Sequence, residues 1–209
     1  CASDYPPTYS AEAITATVID AETKKPLLGV VVTANWQLEE GTLGGNVEAG
    51  QLMVMEAVTG HDGRFHLPSW GPIKPKKGHL VNRDPQLLLF KPGYEYQRLL
   101  NSYSSDRELR LRPLRRSEWN GKVIEMKMFR GGVGEYAKHL GSLSLSWAYT
   151  GNECEWRTIP RMVIASHEQA MIFKKHGVLT SLYTIDNLIP YGGHPDKCGA
   201  RQYFKELWP

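Results

Sequence analysis

Long apolar runs are missing from this 209-residue sequence, and so is a marked excess of one charge. No stretch approaches the roughly 20 apolar residues that a helix needs to cross a bilayer. The formal net charge is only +3, whereas proteins that bind nucleic acid usually carry a concentrated basic face. The composition, 41% hydrophobic and 22% charged, predicts a globular body of one or two domains and no nucleic-acid partner.

The common catalytic and nucleotide-binding motifs are also missing. The sequence has no G-x-S-x-G elbow, no P-loop and no G-x-G-x-x-G run after a predicted strand. His167 and Glu168 begin like the zinc-binding H-E-x-x-H motif, but Met171 stands where the second histidine belongs. We therefore predict no catalytic residues and no cofactor, and a hydrolase with a site of scattered histidines and carboxylates is the least favoured function.

Cysteine is scarce, with three residues that divide into Cys1 and the pair Cys154 and Cys198. A competing interpretation of the pair is a metal site with His194, but there is no C-x-x-C and the spacing matches no zinc pattern. An even pair in an oxidising compartment normally forms one disulfide. We expect a bond between Cys154 and Cys198.

The first half of the chain has the two-residue period of β-strands. Ile14–Asp20 alternates apolar residues with threonines, the pattern of a half-buried strand. Further strands are predicted at residues 30–38, 51–59, 65–67, 87–90 and 109–112, with turn residues between them. Residues 41–50 and 69–84 are predicted as long loops. This pattern predicts a mainly β fold, an antiparallel sandwich, with α-helices after it.

Three motifs in this half resemble the carboxypeptidase regulatory-like domain. In chain order they are VIDAETKKPLLGVVVTANW, EAVTGHDGRFHLP and LLLFKPGYEYQRL. The resemblance implies a transthyretin-like or Ig-like antiparallel sandwich of seven strands over residues 12–115. It also implies architectural roles in turns and core for six residues, namely Gly29, Asp62, Gly63, Phe65, Pro92 and Gly93.

Cys1, followed by Ala2 and Ser3, resembles the acylated cysteine of bacterial lipoproteins. The whole chain is similar to bacterial lipoproteins of uncharacterised function that carry this domain with a helical tail. The resemblance implies a covalent lipid on Cys1, a tether over residues 1–11 and a place in the cell envelope. The outer membrane is favoured because position 2 is not the aspartate that retains lipoproteins at the inner membrane.

Beyond residue 115 the apolar period becomes helical, so residues 116–209 are predicted to form a small helical region that contains the disulfide. The strongest helix is predicted at residues 159–176, with Thr158 as its cap. Weaker helices are predicted at residues 135–147, 185–188 and 201–207.

Some side chains are candidates for binding. Trp36, Trp70 and Tyr94 lie near the ends of the long loops and predict an aromatic binding face for a protein or a glycan. Two M-x-M pairs are weak candidates for a copper(I) site, although alternate methionines in strands are more often core residues. The pairs are Met53 with Met55, and Met126 with Met128.

These observations favour a lipid-anchored, non-catalytic binding or assembly module that docks on another envelope protein or complex. The alternative is an envelope binding protein for a small ligand, either a glycan or copper. The anchor and the interaction-type sandwich support the first, and the aromatic and methionine residues support the second.

Overall fold

The computed structural model describes residues 5–81, 83–102, 111–143, 145–150, 154–189 and 196–207. Within these ranges the protein is mainly β with a smaller helical part, as the sequence predicts. Cys1 and the first half of the strand predicted at residues 109–112 lie outside the described residues. No helix in the described ranges has the length and apolar character needed to cross a membrane.

The described part contains eleven strands and four α-helices. The strands are β1 (Tyr9–Ala11), β2 (Ile14–Asp20), β3 (Val31–Thr42), β4 (Gly45–Val58), β5 (Arg64–Leu67), β6 (Trp70–Ile73), β7 (His79–Leu80), β8 (Gln86–Phe90), β9 (Gln97–Leu99), β10 (Leu114–Arg115) and β11 (Val123–Met126). The helices are α1 (Val133–Leu140), α2 (Ser146–Thr150), α3 (Pro160–Lys175) and α4 (Ala200–Tyr203), with 3₁₀ turns at Glu155–Thr158, Ile185–Asn187 and Lys197–Gly199.

The strands form three sheets. The large sheet has the order β4–β3–β8–β9 with β7 also paired to β3, and the two small sheets have the orders β10–β1–β6 and β11–β2–β5. The sheets are mixed rather than all antiparallel as predicted, because β1 runs parallel to β10 and β2 runs parallel to β11. Both parallel partners come from distant parts of the chain, which leaves room for the crossover that parallel pairing requires.

The β part extends beyond both boundaries expected for the sandwich at residues 12–115. Tyr9 and Ala11, expected in the tether, are buried in β1. Val123–Met126, in the stretch expected to be helical, pairs with β2 along its full length. These short strands have too few residues to show a period in the sequence, and their pairing with distant strands stabilises them. The loop expected at residues 41–50 is mostly the continuation of the β3–β4 hairpin.

The large sheet separates two hydrophobic cores because side chains alternate between its faces. Val32, Ala34 and Trp36 of β3 pack against the small sheets, whereas Val31 of β3 and Phe90 of β8 pack against the helices. Fully burying one side chain of this size stabilises the fold by roughly 1.5–3 kcal/mol. The molecule therefore has three layers, with small sheets on one side of the large sheet and helices on the other.

The helical layer agrees with the predicted pattern most closely at α3. This helix occupies residues 160–175 of the predicted 159–176, whereas α1 ends before Gly141, well short of the predicted residue 147. Cys154 and Cys198 form the expected disulfide, with their Cα atoms 6.2 Å apart. The bond joins the 3₁₀ turn before α3 to the turn before α4.

Candidate functional site

A polar cleft of about 520 Å³ opens on the large sheet. It lies on the face that the helices cover elsewhere, between β3, β8 and the segment that contains β7. The residues that line it are Tyr5, Asn35, Gln37, Glu39, Asn46, His79, Leu80, Val81, Arg83, Asp84, Gln86, Arg98 and Leu100.

The sequence of β3 explains why the cleft is polar and open. Along the helix-facing side of this strand, apolar Val31 is followed at alternate positions by Thr33, Asn35, Gln37 and Glu39. β8 shows the same change, because Phe90 packs against the helices while Gln86 lines the cleft. The helical layer covers the apolar half of this face and leaves Gln37, Glu39 and Gln86 partly exposed.

Side-chain hydrogen bonds orient the polar groups in and around the cleft. The bonds run from Asn35 Nδ2 to Gln51 Oε1 (2.9 Å), from Asn46 Nδ2 to Glu39 Oε2 (3.1 Å) and from Arg98 Nε to Gln86 Oε1 (2.6 Å). Asn35 is 1% exposed, and its Oδ1 accepts no hydrogen bond from the described residues. A buried acceptor without a donor costs about 1–3 kcal/mol. Because it is so little exposed, Asn35 lies beneath the accessible surface of the cleft.

A buried ion pair lies under one end of the cleft. Asp84 Oδ1 is 3.4 Å from Arg115 Nη1, and the two side chains are 1% and 6% exposed. The Arg115 guanidinium also lies over the Tyr9 ring, 5.1 Å from its centroid. Burial raises the pKa of Asp84 to about 7, and the attraction of Arg115 lowers it only in part. The Asp84 carboxyl therefore exchanges a proton near neutral pH.

An aromatic pair forms the rim of the cleft. The rings of Tyr5 and His79 stack at 3.6 Å between centroids with an interplanar angle of 14°. His79 is held in β7, which pairs with β3 at Glu39. The stacked rings offer a flat surface next to the amide and guanidinium groups of the cleft.

The described lining residues can bind a polar molecule. They include the carboxyl groups of Glu39 and Asp84 and the imidazole of His79, but no serine, threonine, cysteine or lysine. Asparagine, glutamine and arginine supply planar arrays of donors, and the amide and carboxylate oxygens supply acceptors. Such a set recognises a ligand that has many hydroxyl or amide groups.

The predicted aromatic binding face is wrong. Trp36 and Trp70 are 1% and 8% exposed and pack edge to face at 5.2 Å in the core between the sheets. Tyr94 is also buried, and its hydroxyl donates to Asp20 Oδ2 at 2.8 Å. The two tryptophans lie on the inward-facing side of their strands, so their positions near loops did not place them on the surface.

The four methionines proposed for copper lie mainly in or against the core. Met126 is fully buried, and Met53 and Met55 are partly buried against the core between the sheets. Met128 is 46% exposed. These positions suit the packing role that alternate methionines usually have in strands, and the copper site stays a prediction.

The residues with expected architectural roles lie in turns or in the core. The φ angles of Gly29 and Gly93 are positive, and the Phe65 ring is buried. A Cβ atom on Gly63 would lie 2.4 Å from the Val18 carbonyl oxygen, so this close approach requires glycine. The neighbouring turn residues act through hydrogen bonds: Asp62 Oδ1 accepts from the Arg64 amide, and the Lys91 carbonyl before Pro92 accepts from the Tyr94 amide.

His167, the residue that begins the incomplete zinc motif, is buried on α3. Burial lowers its pKa below the ordinary value. Across the described ranges no group of three or more histidine, cysteine, aspartate or glutamate side chains is placed to hold a metal ion.

The sequence interpretation missed the residues that line the cleft. A usable signal exists in β3, where Asn35, Gln37 and Glu39 are polar at alternate positions while Ala34, Trp36 and Leu38 are apolar. That pattern predicts one polar face and one buried face. The polar face becomes a cleft only because Gln86, Arg98 and the β7 segment lie next to it in the fold.

Comparisons with known proteins give no family for the chain. No protein-family model matches it, and neither does any curated protein. Among solved structures it is similar to the dioxygenase domain of a dioxygenase carbohydrate-binding protein fusion from Streptomyces sp. SirexAA-E, with 17% identity, 63% of this chain and 86% of that chain covered, and a TM-score of 0.31.

Two further solved structures are similar at the same level. They are 3-chlorocatechol 1,2-dioxygenase from Rhodococcus opacus 1CP (16% identity, 61% of this chain and 62% of that chain, TM-score 0.32) and the major pilin of Corynebacterium diphtheriae (16%, 56% and 30%, TM-score 0.25). The chain spans less than two thirds of the length of either protein. At these TM-scores the likeness carries no inference about function.

Proposed function

We propose that the protein is a non-catalytic binding module that holds a hydroxyl-rich, saccharide-type ligand in the cleft on the large sheet. The observation that carries this proposal is the composition of the cleft, where planar amide and guanidinium groups surround about 520 Å³ beside a stacked aromatic pair. Small-molecule sites usually combine such a concave shape with a few oriented polar groups.

The charges of the cleft support a ligand that is polar but not strongly charged. Arg83 and Arg98 contribute positive charge, and Glu39 contributes negative charge on the same lining. A highly charged ligand of either sign would meet like charge on one side. Sugar hydroxyl groups both donate and accept hydrogen bonds, so they suit a mixed lining with partly exposed amide side chains such as Gln37 and Gln86.

This proposal takes up the small-ligand alternative from the sequence rather than docking through an aromatic face. The three aromatic residues on which that docking face depended are buried. The cleft, by contrast, has half-buried polar side chains that remain reachable, including Gln37 and Gln86.

We further propose that the protein works in the cell envelope with a lipid on Cys1. The disulfide supports an oxidising compartment, and the lipid rests on the sequence resemblance. Intact-mass analysis of the protein from native membranes tests both parts. The expected mass includes acyl chains and is lower by the two hydrogen atoms lost in the disulfide, and an unmodified, fully reduced chain would contradict the proposal.

The carboxypeptidase regulatory-like identity of residues 12–115 is also a proposal. It is supported by the turns at Gly29 and Gly63 and by the bend at Pro92 and Gly93. The parallel pairs that β1 and β2 make with β10 and β11 are additions to the transthyretin-like pattern that the resemblance implies.

A thermal-shift panel tests the binding function. The purified chain is heated with neutral oligosaccharides, muropeptides and Cu(I), each at several concentrations. A ligand that binds the native state stabilises it by mass action and so raises the melting temperature. The stabilisation is about 2.7 kcal/mol when the free ligand concentration is a hundred times Kd. We expect a concentration-dependent rise with at least one saccharide-containing ligand. No rise across the saccharides, or a rise with copper alone, would contradict the proposal.

A further inference from the structure

A second concave surface, the edge groove, shares no lining residue with the polar cleft, although Asn35 of the cleft donates a hydrogen bond to Gln51 of the groove. It has a volume of about 380 Å³ and is largely apolar. It runs along β4, between the segment after β6 and the 3₁₀ turn Glu155–Thr158. The residues that line it are Leu38, Ala49, Gly50, Gln51, Leu52, Met53, Val54, Ile73, Lys74, Lys76, Lys77, Glu155 and Thr158.

The groove lies along β4. Six consecutive residues of this strand, from Ala49 to Val54, line it. The pairing of β4 with β3 skips Leu52 and Ala49, so two bulges interrupt the alternation of side chains and let neighbouring residues line the same groove.

β4 is the terminal strand of the large sheet. Its other side pairs with β3, and in the described ranges no further backbone segment pairs with residues 49–54. Two irregularities in the β3–β4 register, beside Gln37 and beside Glu39, bend the strand at this place. An edge of this kind presents N–H and C=O groups that a further strand can pair with.

The rim of the groove is basic. Lys74, Lys76 and Lys77 stand together on one side and are exposed. Lys74 and Lys77 form no ion pair within the described part of the chain. The floor includes the apolar side chains of Met53 and Ile73. The groove thus combines main-chain hydrogen-bonding groups, apolar pockets and positive charge.

We propose that the edge groove binds an extended acidic peptide of a partner protein by β-strand addition. The peptide main chain pairs with β4, its aliphatic side chains enter the groove, and its carboxylates lie against the lysine rim. This site shares no lining residue with the polar cleft and does not depend on the saccharide function. It gives a protein partner a docking surface other than the aromatic face that the sequence predicted.

Selection from a displayed library of nine-residue peptides tests the proposal on the full chain. We expect enrichment of peptides that alternate acidic with aliphatic residues. The selected peptides are then synthesised with N-methyl groups on one or the other set of alternate residues. Because an added strand directs every second N–H to the edge, one set should weaken binding at least about tenfold and the other should leave Kd nearly unchanged.

Charge-reversed variants separate the groove from non-specific attraction. The double variant Lys74→Glu with Lys77→Glu should weaken peptide binding about tenfold or more at low salt, and less at high salt. The control, Lys122→Glu with Lys127→Glu, makes the same charge change at two exposed lysines outside the groove and should bind as the original protein does. Melting temperatures confirm that both variants fold.

Three results would overturn the proposal. The first is a library selection without enrichment, which would mean that the bulges and lysines only guard the edge against aggregation. The second is equal weakening by both N-methyl sets. The third is binding to phosphatidylglycerol vesicles but to no peptide, which would make the groove a lipid contact. None of them bears on saccharide binding in the cleft.

Discussion

At the residue scale, the buried pair under the cleft has the largest electrostatic consequence. Asp84 and Arg115 are almost fully enclosed, and moving two charges out of water costs several kcal/mol per ion before their attraction repays it. The raised pKa of Asp84 shows that burial outweighs the attraction of Arg115. The folded protein therefore favours the protonated carboxyl more than the unfolded chain does.

This imbalance predicts how stability depends on pH. The pKa of Asp84 rises from 3.8 in the unfolded chain to about 7 in the folded protein. Its protonation therefore stabilises the fold fully below pH 3.8, and this stabilisation is lost as the pH rises through 7. Between about pH 4.5 and pH 7.5 the free energy of unfolding should fall by on the order of 3 kcal/mol from this residue. Urea unfolding at both pH values measures the change.

The variant Asp84→Asn isolates the residue because it cannot ionise. Its free energy of unfolding should change much less between the two pH values. The pKa of Asp20 shifts in the opposite direction, to about 2, because the Thr23 amide and the Tyr94 hydroxyl donate hydrogen bonds to its carboxylate. Protonation of Asp20 therefore changes the free energy of unfolding below about pH 4.5 and not between about pH 4.5 and 7.5. Equal pH dependence in the variant and the original protein would contradict the assignment.

At the element scale, α3 is joined to the large sheet through its first turn. The Glu56 carboxylate of β4 accepts hydrogen bonds from the amides of Arg161 (3.0 Å) and Met162 (2.7 Å). The helix has no side-chain cap of its own, and the expected cap, Thr158, donates instead to the Glu155 carbonyl. A carboxylate here also meets the positive end of the helix dipole, although burial raises the pKa of Glu56.

Removing this cap should loosen α3 from the sheet. The variant Glu56→Ala should lower the free energy of unfolding by about 1–2 kcal/mol, the usual loss for a helix cap. Glu40→Ala, at an exposed glutamate of β3 outside the helix contact, should change it by less than about 0.5 kcal/mol. Chemical denaturation measures both, and amide exchange at residues 161 and 162 locates the loss. Equal values for the two variants would rule out the cap.

The sequence predicts those elements whose pattern is local. β2 and α3 have clear periods of two and 3.6 residues, and both occur within a residue or two of their expected bounds. The cap from Glu56 lies 105 residues away from Arg161 in sequence, so no local signal can indicate it. The parallel pairing of β2 with β11 is non-local for the same reason.

At the scale of the whole molecule, the cleft follows from incomplete coverage of one sheet. The helices pack on the apolar end of the outer face and stop where the strands become polar. Segments from several parts of the chain then complete the walls, among them Tyr5, His79 and Arg98. The mainly β class and the disulfide could be predicted from sequence, but the cleft could not, because its residues meet only after the sheet has formed.

The same sheet offers two separate surfaces to ligands. Its outer face carries the polar cleft, and its edge at β4 carries the groove with the lysine rim. A module with this arrangement can hold a saccharide on one surface and a partner peptide on the other. Saccharide binding in the cleft is the main function that we propose. It depends on the polar side chains that hydrogen bonds orient there.

Titration of cleft variants with the saccharide selected by the thermal-shift panel tests that claim most directly. Calorimetry should show Kd raised about tenfold by Gln37→Ala and by Arg98→Ala, because each removes a hydrogen-bonding group worth about 1–1.5 kcal/mol. Arg64→Ala, at an exposed arginine of β5 outside the cleft, should leave Kd unchanged. An unchanged Kd in all three variants would contradict saccharide binding in the cleft.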